Sequence, residues 1–179
     1  MTLRPDHRAR RAPRDGGFSL IELLAVLTVG AILAGVALPT LSRLASTRTA
    51  AAGRLIVRDL SYARERAITS GQRTWVTFSI VGNSYSLLQE PAGSPGKANA
   101  VAVSDIATRK SFVQTFGTNE FRGVTLASAS FGAGADVGFD WLGKPLNNAQ
   151  TPLANSGIVV ITGGPTITVQ VETGLPSMP

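Results

Sequence analysis

The 179 residues contain no cysteine, which removes structural disulfides, iron–sulfur clusters and thiolate metal sites from consideration. An oxidising compartment is thereby permitted but not required. The sole histidine, His7, lies in a basic N-terminal stretch. If that stretch is removed, no imidazole remains for acid–base catalysis, metal binding or a serine–histidine–acid arrangement. Lys and Arg outnumber Asp and Glu by 17 to 11, yet residues 73–179 have no basic excess at all. Residues 1–17 carry net +3 and residues 40–72 net +4, and Glu22 brings the total to +6. The C-terminal part therefore has little with which to neutralise phosphates. Asp136 and Asp140, four apart on a strand-like segment, have no further acidic neighbours to complete a cation site. The glycines within 132–138 lack the strand-to-helix setting of a phosphate loop and read as turns. No catalytic residue, metal or cofactor is expected, and the chain is not expected to be an enzyme.

Only one long apolar run is present. Phe18 to Leu38 is 21 residues with a single charged side chain, Glu22; as a helix it would rise about 31 Å, close to the hydrocarbon thickness of a bilayer. Arg4, Arg8, Arg10, Arg11 and Arg14 precede it, so the positive-inside rule places the N-terminus in the cytoplasm and everything after Pro39 across the membrane. A secretory signal peptide also has a basic start and small residues at its end, here Gly35-Val36-Ala37. Its apolar core is shorter, however, and an internal carboxylate fits it poorly. Gly16 and Gly17 stand directly before the run, where a helix would ordinarily show a Ser, Thr, Asp or Asn cap. Bare backbone there suits a protease, and a cut after Gly17 would leave a positive amine on Phe18.

The stretch GGFSLIELLAV, Gly16 to Val26, resembles the class III signal of type IV prepilins and type II secretion pseudopilins. The resemblance implies cleavage between Gly17 and Phe18 by a prepilin peptidase, methylation of the new N-terminal Phe18, and a role in subunit assembly for Glu22. Two charges that are costly alone in lipid become less so when Glu22 meets the Phe18 amine of a neighbour. Pro39 lies inside a continuing helical pattern and removes the hydrogen bond to the Gly35 carbonyl, which predicts a kink; a proline at this distance from the cleavage point also matches the pilin stalk.

After Pro39, Ile56, Leu60, Ala63 and Ala67 fall on one face of an amphipathic helix, and Gly71 is placed to cap its end. The period then changes to two. RTWVTFSIVGNSYSLLQE reads as a hairpin turning at Gly82-Asn83, and GVTLASASF, DVGFDWLG, GIVVITGG and TITVQVETG read as further strands. EPAGSPGKANAVAVSD, Glu90 to Asp105, reads as an exposed loop with little structure of its own. The expected fold class is α+β and type IV pilin-like: a long N-terminal helix, its first half transmembrane, kinked at Pro39 and packed on an antiparallel β-sheet head. The expected divisions are a basic leader, 1–17; a transmembrane helix, 18–38; an amphipathic stalk helix, 39–71; and a β-rich head, 72–179.

LIVRDLSYARERAITSGQRTWVTFS, Leu55 to Ser79, and VGFDWLGKPL, Val137 to Leu146, resemble the GspH/FimT family of minor pilins and pseudopilins, with its "AR..AI" helix core, its phenylalanine-x-x-x-glycine turn and its paired C-terminal strands. That resemblance implies a structural subunit of a type II secretion pseudopilus or, alternatively, a minor pilin of a type IV pilus with a DNA-uptake role. It also implies other major and minor subunits as partners and an inner-membrane location with the head periplasmic. Family members that bind DNA end in a basic Gly-Arg-x-Arg tail, whereas this chain ends VETGLPSMP, with Gly174 present and leucine and proline beyond it. Nucleic acid is therefore not expected among its partners. The arginines of residues 43–66 are expected on a solvated face or inside a filament.

Overall fold

The structure is a computed structural model that describes residues 17, 19–105, 108–132 and 134–179, leaving the side chains of 36–43 aside. The leader up to Gly16 and Phe18 lie outside the described residues. The chain divides into two compact units, Met1–Thr40 and Leu41–Pro179. One helix, α1, runs from Leu20 to Ser70, 51 residues, and includes Pro39. Among the described residues no helix is long and apolar enough to cross a membrane. The described side chains of the apolar run stop at Gly35, while the run itself continues to Leu38. From Leu20 to Leu33 the large apolar side chains are exposed. The helix ends at Ser70, and Gly71 follows with φ 68°, the left-handed conformation that glycine adopts without a Cβ penalty.

The second unit is an α+β fold with two antiparallel sheets. The first runs β3 (Val101–Ala102), β2 (Ser84–Gln89), β1 (Thr74–Ser79), β6 (Asp136–Phe139), β7 (Pro145–Leu146), with β4 (Val113–Thr115) also on β2. The second runs β10 (Pro176–Ser177), β9 (Thr166–Val169), β8 (Gly157–Ile161), β5 (Leu126–Ser130). Register places Val76 opposite both Leu87 and Val137, and Phe78 opposite Tyr85, so these side chains share one face. They form a single core with Val159, Ile161, Ile167 and Val169 of the second sheet. Ala52, Ile56, Leu60, Ala63 and Ala67 of α1 complete it, each 1% exposed or less. The small residues of the helix face let the backbone come close: a Cβ at Gly53 would stand 2.6 Å from Met178 Sδ and 2.7 Å from Pro165 Cγ.

Both sheets, not one, thus contribute to the core beneath the helix. Asn83 ties them together at the hairpin tip. Its backbone is left-handed, φ 47°, its Nδ2 donates to the Val124 carbonyl at 2.9 Å, and its Oδ1 accepts from Leu126 N–H at 2.8 Å.

The segment Glu90–Asp105 is largely exposed and has only a short 3-10 turn and a two-residue strand of its own, as expected, but it is tied down at particular points. Glu90 is only 3% exposed and accepts from Trp75 Nε1 and from Gly96 N–H, both at 2.8 Å. Lys97 pairs with Asp136 and Asn148 and stands 5.3 Å from the Trp75 ring centroid. The segment is a strap over the face of β1 opposite the core. Gly138 pairs with Trp75 across the sheet and leaves room for the indole; a Cβ there would be 2.6 Å from Trp75 Cζ3. A buried carboxylate fixed by two donors fastens a proline- and glycine-rich stretch whose composition alone predicts mobility.

Candidate processing and assembly sites

At the N-terminal site Gly17 is exposed, and among the described residues nothing lies within 4 Å of the place where a Cβ would project. The helix does have a side-chain cap, which the glycines had obscured. Ser19 Oγ accepts from Glu22 N–H at 3.3 Å, and the Ser19 carbonyl accepts from Glu22 and Leu23 N–H at 3.0 and 3.2 Å. Ser19 and Glu22 have the spacing of a capping box, with the acid in the first turn where the helix dipole favours it. Glu22 is exposed, so its carboxylate is accessible to a second chain.

In the second unit the residues of the two head motifs meet. Arg64 Nε donates to the Gly143 carbonyl at 3.2 Å and to the Thr173 carbonyl at 2.8 Å. One guanidinium therefore joins the helix to the β6–β7 turn and to the β9–β10 turn. Phe139, four residues before Gly143, is fully buried. Gly143 has φ 79°, and a Cβ there would meet Ile68 Cδ1 at 2.8 Å and Arg64 Nε at 2.9 Å. At Gly174, φ 67°, a Cβ would lie 2.3 Å from the Gly143 carbonyl oxygen. Both glycines are required by close approach as well as by backbone conformation. Asp140 has a local use, its Oδ1 accepting from Leu142 and Lys144 N–H at 2.9 and 2.8 Å to shape the same turn. Ile68, which closes the "AR..AI" pattern, is 42% exposed and not part of the core.

The arginines of the helix have uses inside the unit that their spacing did not reveal. Arg66 Nε donates to Gln89 Oε1 at 2.8 Å and its Nη1 to the Tyr62 hydroxyl at 3.3 Å. Arg58 Nε donates to Asp59 Oδ1 at 2.9 Å while its side chain is 70% exposed. Asp59, 2% exposed, also accepts from the Tyr85 hydroxyl at 2.5 Å. Burial first, then the Asp59 carboxylate and the hydrogen bond to it, hold the Tyr85 proton well above the ordinary phenol range. A neutral donor and a carboxylate thus lock the middle of α1 onto β2. Among the described residues no group of three His, Cys, Asp or Glu side chains is placed to hold a metal ion.

The prokaryotic N-terminal methylation motif matches residues 13–38. Two solved structures of the minor pseudopilin EpsH from the type 2 secretion system of Vibrio cholerae resemble the chain. One has a TM-score of 0.53 at 16% identity, covering 74% of this chain and 94% of that one. The other has 0.49 at 18%, covering 72% and 93%. The first of these establishes the fold. No curated protein matches the chain in sequence.

Proposed function

We propose, for a chain with a prepilin-type methylation motif ahead of a head with the fold of a minor pseudopilin, that it is a structural subunit of the periplasmic pseudopilus of a type II secretion system. The observation that carries this reading is the pairing of the motif at residues 13–38 with that fold in one polypeptide. In this account residues 1–17 are a cytoplasmic leader, 18–38 span the inner membrane and 39–71 form the stalk that holds the periplasmic head, 72–179. A prepilin peptidase cuts after Gly17 and methylates Phe18. Pro39 gives the stalk a bend between membrane and head.

Assembly follows from the chemistry of the new terminus. Before cleavage Glu22 sits at the start of α1 beside its capping serine. After cleavage a cationic amine on Phe18 of an adjacent subunit is the partner that lowers the energy of this carboxylate in lipid. The exposed side chains from Leu20 to Leu33 are then covered by the helices of neighbours. The head supplies contacts with other minor subunits, and Arg58, Arg64 and Arg66 of the helix serve acceptors within the head itself, which supports a building block over a nucleic-acid binder.

The reading is tested by isolating filaments from cells that produce the full chain. The chain is expected among the filament subunits, and Glu22→Ala is expected to remain cleaved while losing incorporation. A chain that stays outside filaments in both forms contradicts the reading.

A further inference from the structure

A cleft of about 690 Å³ opens at the end of the head where α1 finishes, between the turn Ser70–Arg73, the strap from Glu90 to Gly96, Trp141 and Gln150. Glu90 lines it, but both of its oxygens already have donors in Trp75 and Gly96. Arg73 is in a different state. Its Nη1 donates to the neutral amide oxygen of Gln150 at 3.2 Å, its guanidinium lies 6.0 Å from the Trp141 ring centroid, and its Nε is buried with no acceptor among the described residues. No described carboxylate pairs with it. A guanidinium held at one Nη by Gln150, near the Trp141 ring and without a carboxylate, has an Nη left to take one.

The surroundings indicate how large the ligand is. Trp141, which lines the cleft, is 52% exposed, and Leu142, Ile68 and Leu175 are exposed at 64%, 42% and 51%. A Cβ on Gly143 would meet Ile68 Cδ1 at 2.8 Å and one on Gly174 would meet the Gly143 carbonyl at 2.3 Å, so the backbone that carries Leu142 and Leu175 comes close to the end of α1. An exposed indole in the cleft wall, with apolar residues exposed on the neighbouring backbone, fits a polypeptide better than a small acid. We propose that the cleft docks an extended segment of a neighbouring subunit, which presents a carboxylate to Arg73 and an apolar side chain to Trp141.

The proposal rests on the reading of the chain as a filament subunit, and its test separates the two. A photo-crosslinking p-benzoylphenylalanine is placed at Gln72 of the full chain in cells that assemble filaments. Irradiation is expected to join it to one other pilin-like subunit, at a peptide containing Asp or Glu. Arg73→Gln is expected to lower the yield about tenfold, as loss of an interfacial charge pair does, and Arg73→Lys to lower it less. An unchanged thermal midpoint for each variant's head excludes misfolding as the cause; if Arg73→Gln unfolds the head, the acidic content of the crosslinked peptide and the yield from Arg73→Lys decide. A yield indifferent to Arg73, or a crosslinked peptide without an acid, overturns the proposal. A chain that is methylated and present in filaments but forms no crosslink overturns the cleft alone. A chain absent from filaments overturns both.

Discussion

Replacing Tyr85 by phenylalanine isolates one atom. The ring keeps its contacts with Phe78 and Phe116, at centroid distances of 5.4 and 5.9 Å, while Asp59 loses the hydroxyl that donates to it at 2.5 Å. Asp59 is 2% exposed, so bulk water does not replace the donor, and Arg58 Nε at 2.9 Å is left to hold the charge. Hydrogen bonds to ionised groups contribute about 1.5–3 kcal/mol, and a buried acceptor left short loses that amount in full. Tyr85→Phe is therefore expected to destabilise the head by about 2 kcal/mol, read as a midpoint shift of roughly 1 M in urea for the compact unit Leu41–Pro179. The partly buried Tyr62→Phe, which removes only an acceptor for Arg66, is expected to cost about 0.5 kcal/mol. A pH arm sharpens the experiment. The folded state holds the Tyr85 proton above the ordinary value of 10.0, so the unfolded chain releases it first. This group contributes its full stability below that value. Its contribution is lost as pH rises beyond it, by about 1.4 kcal/mol per pH unit. The phenylalanine variant should show a shallower alkaline slope. A loss below about 0.5 kcal/mol, or an unchanged slope, would refute the account of the Asp59–Tyr85 lock.

Three further outcomes are expected. Gly157→Ala places a Cβ 2.1 Å from Phe131 Cδ1, in a ring that is fully buried; thermal unfolding of the head should register a loss of about 1–3 kcal/mol, the usual cost of overpacking. Gly17→Val meets nothing within 4 Å among the described residues, so it should leave the head's unfolding midpoint unchanged while the unprocessed precursor accumulates on a denaturing gel. Glu22→Ala should leave cleavage intact and reduce the chain's share of isolated filaments, since its carboxylate is proposed to act between subunits; undiminished incorporation counts against that role.

Much of this was legible in the sequence where a pattern and its cause are both local. The heptad-like series Ile56, Leu60, Ala63 and Ala67 marked the buried face of α1 because helical periodicity is read directly from spacing. The turn at Gly82-Asn83 was legible for the same reason, but not that the Asn83 side chain would bind both Val124 and Leu126, at the start of the second sheet's β5. β7 and β10 have two residues each, too short to carry a period. Arg64, Gly143 and Gly174 stood in quoted motifs, yet their convergence is a tertiary fact that no spacing reports. The exposure of the strap from Glu90 is legible in its composition, but its anchoring is not. Composition weighed its prolines and glycines, whereas a single buried carboxylate facing Trp75 decides its order. The Ser19 cap is carried by a local pattern, the Ser-x-x-Glu spacing, although two glycines stand before it.

The account stands or falls on the chemistry of one terminus. Intact mass and N-terminal peptide analysis of the mature chain is predicted to find Phe18 as the first residue, carrying a methyl group on its amine. A chain that retains Met1, or one cut near Ala37, would contradict it.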